Sequence, residues 1–268
     1  MDEIFFVVPF GRDGAADRAA RKFAASLPRT RESSVTIENL PGEGGARGLN
    51  RANSRIAAGM PVMLLGTPST HILLPARFGP AIAPSAKLQP IAGLGSSPNV
   101  LLVSPKLGVR DVGDLVARAR GGGLVYASAG AGQTIHLCTA LFCKQAGIAM
   151  EHRPYDGGSA TAYQDLAAGR VHVYFDNVIG AIDHIVLGEA VPLAVSSRSR
   201  SDLLPDVPTL VACGFADHAL EVWLGVFGAN LSEEMVRAAE GAGAIDGAGL
   251  AREIEASAPA WRHALEAA

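Results

Sequence analysis

Apolar positions along the chain fall into short blocks, and the blocks alternate between two periods. Residues 4–8 (Ile-Phe-Phe-Val-Val) are apolar throughout and are ended by Pro9. That pattern predicts a strand buried on both faces of a parallel sheet. A glycine-containing loop over residues 11–14 leads into an Ala-rich helix over 15–27. Residues 35–38 read as a second strand, 41–45 as a loop, 50–58 as a helix and 62–65 as a third strand, closed by a loop over 66–71. Further strands are expected at 99–103, 124–127, 171–175, 193–195 and 220–227, and helices at 111–120, 136–145 and 160–168. The polar tail reads as helix, with Ser232 followed by Glu233 and Glu234 as an N-terminal cap. Strand, loop and helix in repetition predict an α/β fold. No internal repeat and no low-complexity linker interrupts the pattern.

Composition narrows the class. The 268 residues suit one large or two small domains, and 49% hydrophobic content supplies a core. With only 18% charged residues and a mean hydropathy of +0.23, global disorder is excluded. A formal charge of −3 and a pI near 6.2 give no basic field for nucleic acid or an anionic membrane. No apolar run approaches the roughly 18 residues that span a bilayer. Three cysteines exclude a disulfide-stapled scaffold. The start, Met1-Asp2-Glu3-Ile4, lacks a leader's basic and cleavage segments. The expectation is a periplasmic protein where a leader has been removed, and a cytoplasmic one where Met1 is the natural start.

Glycine is over-used, at 31 residues where average usage gives about 19. Many glycines sit in three loops of one grammar, at residues 10–17, 66–71 and 128–134. In each, an apolar strand runs into small residues and then a helix start, where unpaired N–H groups and the dipole favour an anion. Ser69, Thr70, Ser128, Gln133 and Thr134 can add hydrogen bonds. Taken singly, each loop is an ordinary capped turn; together they predict a ligand cleft at the strand ends. Phe10 and Tyr155 are candidate cleft walls, His71 and His136 candidate polar residues, and Asp17 and Asp176 candidate loop braces or contacts for a cationic group.

Other chemistries fit poorly. Gly130-Ala131-Gly132-Gln133-Thr134-Ile135 ends in Ile where a dinucleotide fingerprint needs Gly or Ala. Tyr126 occupies the position where a nucleophile elbow needs Gly. The histidines show no metal spacing, and Cys138 and Cys143 point to different faces of a helix. Neither a cofactor nor a metal is expected.

Several stretches, in order, resemble the Bug family of periplasmic receptors of the tripartite tricarboxylate transport class. They are 8–17, 38–45, 65–71, 98–101, 126–130 with His136 and Leu137, 154–158, 165–171, 175–177, 193–195, 204–209 and 223–227. The resemblance implies a two-lobed, hinged binding-protein fold of type II. Lobe 1 is expected over 1–99 with 222–268, lobe 2 over 100–221, and a small carboxylate between them. It implies a ligand set of Phe10, Gly14, Ala15, Asp17, Thr67, Ser69, Thr70, His71, Ser128, Gln133, Thr134, Tyr155, Gly157 and Asp176. Membrane permease subunits are the implied partners and a monomer the implied state. Two departures stand out. Asp13 replaces the first of two adjacent family glycines, and Arg12 beside it can pair with Asp13 or grip a second carboxylate. The segment after Phe227 is 41 residues, shorter than the family's usual tail.

Two functions follow. One is a receptor that closes by hinge motion on a small carboxylate and hands it to a permease. The alternative is a cytoplasmic, cofactor-independent isomerase or lyase of a carboxylic acid, with Asp13, His71 and Asp17 as acid/base groups. A transcriptional effector domain finds no DNA-binding segment here.

Overall fold

The computed structural model describes residues 2–28, 33–155 and 159–268. In chain order the elements are β1 (Asp2–Val8), α1 (Ala15–Ser26), β2 (Ser33–Asn39), α2 (Ala46–Ala57), β3 (Val62–Gly66), α3 (Leu74–Phe78), β4 (Gln89–Val103), α4 (Val112–Arg120), β5 (Val125–Ser128) and α5 (Thr134–Ala146). The remainder is β6 (Glu151–Pro154), α6 (Ser159–Ala168), β7 (Val173–Asn177), α7 (Val178–Val186), β8 (Val191–Val195), β9 (Glu221–Ala229), α8 (Glu233–Gly241), β10 (Ile245–Asp246) and α9 (Gly247–Leu265). They divide into two compact units. Unit 1 is Met1–Ser96 with Trp223–Pro259, and unit 2 is Ser97–Val222 with Ala260–Ala268. The strands β4 and β9 and the helix α9 each run from one unit into the other.

In unit 1 the strand order is β2-β1-β3-β9-β4, with β10 on β4. β1 is parallel to both neighbours, and β9 runs antiparallel to β3. Phe6, Val7 and Val8 are fully buried, as an apolar run between two sheet faces requires. On one face Phe6 meets Phe23 of α1 edge-on at 6.0 Å, in a core shared with Met63, Leu65, Val226 and Met235. In unit 2, β4 pairs antiparallel with both β7 and β8, and β5 lies parallel between β7 and β6. Its core joins Val100, Leu102, Tyr163, Leu166, Tyr174 and Val195. The fold is therefore α/β with mixed sheets, and two of its helices begin at the expected positions. Asp111 accepts the Asp114 N–H at 2.8 Å at α4, and Ser232 accepts the Met235 N–H at 3.2 Å at α8.

Some elements differ from expectation. β4 begins ten residues before the expected strand at 99–103, because Gly93, Gly95 and Pro98 break the apolar alternation without breaking the ladder. α2 begins at Ala46 rather than 50, capped by Gly45 in the left-handed region at φ 99°. β6, with the sequence Glu-His-Arg-Pro, and α7 lack a strand or helix signal strong enough to predict them.

Candidate functional site

The order β2-β1-β3 places a topological switch at the carboxyl end of β1. The chain leaves β1 for β2 on one side, then crosses to β3 on the other, the arrangement beside which open α/β sheets bind ligands. Close packing holds these loops together. A Cβ on Gly48 would lie 2.7 Å from Pro9 Cα, and one on Gly45 would lie 3.0 Å from Thr70 Cγ2. The loops after β1, β2 and β3 therefore touch, and only glycine at 48 permits it.

After β3 the chain makes a single wide helical turn, Ser69–Leu73, in which Ser69 and Thr70 are buried. The Thr67 carbonyl accepts the N–H groups of Thr70 and His71, both at 3.1 Å. The Thr70 hydroxyl accepts the Thr67 N–H at 3.0 Å, donates to the Thr67 carbonyl at 3.1 Å, and lies 2.9 Å from His71 Nδ1. With its one hydrogen on the carbonyl, it receives a hydrogen from His71 Nδ1, which leaves Nε2 as an acceptor. The His71 ring stacks on Phe227 at 3.8 Å and meets the edge of Trp223 at 5.9 Å. Burial pushes its pKa down to about 3, so the ring is neutral at physiological pH. Two buried atoms of this turn have no hydrogen-bond partner among the described residues: Thr67 Oγ1 and His71 Nε2.

The loop after β1 is braced from within. Asp17 is buried, and its Oδ2 accepts the Asp13 N–H at 3.0 Å and Arg21 Nε at 2.9 Å. Its Oδ1 accepts Asn39 Nδ2 at 2.8 Å, and the same amide reaches the Phe10 carbonyl at 3.2 Å. Burial alone raises the Asp17 pKa, but the bonds from Arg21, Asn39 and Asp13 outweigh it and hold the carboxyl below its usual value. Arg18 donates to the Asp13 carbonyl at 2.6 Å. Asp13 sits in the left-handed region at φ 64° with its side chain exposed, at the position where the family resemblance calls for glycine. Arg12 is exposed and makes no ion pair with Asp13. Gly14 caps α1 without a side chain, so the first turn, beginning at Ala15, keeps backbone N–H groups that no cap satisfies. The Phe10 side chain packs against the unit 1 core.

Unit 2 presents the loop between β5 and α5. Ser128 is buried, and its hydroxyl accepts the Gly130 N–H at 3.2 Å and lies 2.7 Å from His152 Nε2. Gln133 caps α5 by position while its amide donates to the Ala129 carbonyl at 2.9 Å, and Thr134 is buried at the helix start. Gly157 lies outside the described residues. The Tyr155 hydroxyl donates to Asp165 Oδ2 at 2.5 Å, and Arg170 donates to the other oxygen at 2.8 Å. Asp176 accepts the Tyr163 hydroxyl and the Asn177 N–H, each at 2.8 Å, just before α7. The Asn177 side chain caps α7 by accepting the Ile179 N–H at 3.2 Å. Among the described residues no cluster of three His, Cys, Asp or Glu side chains could hold a metal ion, and no helix is long and apolar enough to cross a membrane.

Sequence reasoning missed the residues that hold these loops from a distance. Asn39, His152, Asp165 and the β9 pair Trp223 and Phe227 come from other segments, and Arg21 from the next turn of α1. Arg21 alone had a local signal, at four residues from Asp17 on one helix face.

Comparison with known proteins gives a consistent picture. The family model described as the tripartite tricarboxylate transporter family receptor matches residues 19–242. A protein from the tcbD–tcbE intergenic region of a Pseudomonas species is 32% identical over 229 residues, covering 84% of this chain and 67% of the relative. Protein BugT of Bordetella pertussis is also 32% identical, over 227 residues, covering 83% of this chain and 69% of BugT. An R. palustris protein solved with adipate superposes with a TM-score of 0.84 at 28% identity, covering 99% of this chain and 96% of that one.

Proposed function

This chain belongs to the tripartite tricarboxylate transporter receptor family, and from that premise we propose that it captures a small carboxylate in the periplasm and delivers it to membrane permease subunits. The observation that carries the binding step is the buried, unpartnered Thr67 hydroxyl, in the turn that packs against the β1 and β2 loops. A buried hydroxyl without an acceptor costs about 1–3 kcal/mol, and a ligand carboxylate removes that cost. The N–H groups that open α1 at Ala15 supply the complementary dipole without a charged side chain. His71 Nε2, an acceptor, takes a hydrogen from water or from a ligand hydroxyl rather than facing the carboxylate directly. Asp17 serves this site by holding the loop rather than by touching the anion, since Asp13, Arg21 and Asn39 already occupy its oxygens. Within the same proposal, Arg12 reaches a distal polar group of the ligand.

The chemistry of the three acid/base candidates supports a binder. Asp13 is exposed, Asp17 is saturated, and His71 is held neutral. Calorimetry with adipate against the native protein and Thr67→Val tests the reading. Adipate is expected to bind the native protein and to bind the variant at least tenfold more weakly. Equal affinity for both would remove Thr67 from the site.

A further inference from the structure

The formal charge of −3 is unevenly spread, and one end of unit 2 is basic. The amino ends of β5, β6 and β7 lie together, because β5 runs parallel to both neighbours. The end of antiparallel β4 joins them, with Val103 opposite Val173. This is the end away from Ser128 and the loop that follows it. The segments that converge there carry five cations, Lys106, Arg118, Arg120, Arg153 and Arg170, against two carboxylates, Glu151 and Asp165, which leaves +3. Asp114, in the first turn of α4, sits instead beside Arg110 at 3.5 Å. His172 ties the cluster together. Its Nδ1 accepts the Val125 N–H at 3.0 Å, and burial, then the Arg118 charge, with Arg153 adding to it, hold its pKa below the usual value.

Three of these cations are held by backbone carbonyls. Lys106 Nζ donates to the Ala168 carbonyl at 3.2 Å, Arg118 Nη1 to the Gly122 carbonyl at 3.2 Å, and Arg153 Nη1 to the Arg170 carbonyl at 3.1 Å. Among the described residues none of the three forms an ion pair; only Arg170 does, with Asp165 at 2.6 Å. A carbonyl carries a partial charge, so it fixes each side chain without cancelling it. The remaining N–H groups are pre-positioned for carboxylates, and part of the ordering cost of binding is already met. We propose that this basic end of unit 2 docks an acidic peptide segment of a protein partner. On the receptor reading that partner is a membrane permease subunit; its identity rests on that reading, whereas its acidic chemistry does not. Charge complementarity of this kind speeds encounter and suits a partner that must also leave. A lipid surface fits less well. None of the exposed large apolar side chains belongs to these segments, so nothing here inserts into a bilayer.

Nuclear magnetic resonance of the native protein with hexaglutamate tests the surface. Shifts are expected at the amides of residues 120–122 and 168–170, with affinity falling about tenfold between about 20 and about 300 mM salt. Lys106→Glu combined with Arg118→Glu is expected to abolish the shifts. Lys106→Gln combined with Arg118→Gln removes the charges without reversing them and is expected to weaken binding. Lys87→Glu, a reversal at an exposed side chain of unit 1, is expected to leave the shifts intact. Native protein without shifts, shifts that persist in both double variants, or shifts lost equally in Lys87→Glu would overturn the proposal. So would native protein that binds phosphatidylglycerol vesicles while hexaglutamate moves nothing, which would assign the surface to a membrane. Calorimetry with adipate separates docking from the carboxylate reading. The double variants are expected to bind adipate as the native protein does. If both lose adipate together with hexaglutamate, these cations serve the fold rather than a partner, and the proposal fails. Native protein that responds to hexaglutamate but binds no adipate would strike the carboxylate reading, and with it the permease as partner, and leave the acid-binding surface standing.

Discussion

Thr67 and Thr70 stand three residues apart in one turn and have opposite roles. The Thr70 hydroxyl is spent on the Thr67 N–H and carbonyl and on the His71 ring, so Thr70→Val leaves buried groups unpaired. That substitution is expected to cost about 1–3 kcal/mol of stability, read by urea denaturation. Thr67→Val removes a hydroxyl that has no partner among the described residues. It is expected to leave the midpoint unchanged or raised while ligand affinity falls, and a destabilised Thr67→Val protein would show that the hydroxyl is satisfied in the free state. Asp17 makes a pH prediction. Its folded pKa lies below the unfolded value, so its contribution is fully present above about pH 4 and is lost as pH falls through the depressed folded value. Asp17→Asn is therefore expected to be less stable than the native protein at pH 7 and to lose part of the acid-side slope. Parallel stability curves for the two proteins from pH 7 to 3 would contradict this.

Single elements show how one small residue carries a contact between distant ones. A Cβ on Gly66, the last residue of β3, would lie 2.4 Å from both the His71 ring and the Phe227 ring. Gly66→Ala must push the stacked rings apart or displace the wide turn, and is expected to cost about 1–3 kcal/mol by chemical denaturation. An unchanged midpoint would mean that the stack shifts freely. Legibility in the sequence follows the same division. β1 and β3 were readable because burial on both faces demands an unbroken apolar run. β6 was not, because its strand character comes from pairing with β5 rather than from its own residues. α7 was not, because Asn177 ends β7 and also caps the helix, leaving no loop between them. The three candidate loops were legible as loops from their small residues and helix starts. The braces Asn39, His152 and Asp165 were not, because their partners lie 22, 24 and 10 residues away.

Across the whole molecule, a receptor needs a site that attracts an anion without holding it too firmly. The net charge of −3 supplies no general attraction, so in the proposed reading capture falls to local N–H groups and hydroxyls of the loops after β1 and β3. The family match and the fold shared with a protein solved with adipate place this chain among receptors rather than enzymes. Binding to the folded state alone should also raise thermal stability with ligand concentration, in proportion to RT ln(1 + [L]/Kd). The most direct measurement of the central claim is proton magnetic resonance of a panel of mono-, di- and tricarboxylates incubated with the protein. The account predicts that at least one compound shows broadened lines, that its spectrum is otherwise unchanged after prolonged incubation, and that Thr67→Val abolishes the broadening. A panel in which no carboxylate is broadened, or in which one is converted to a new compound, would contradict it.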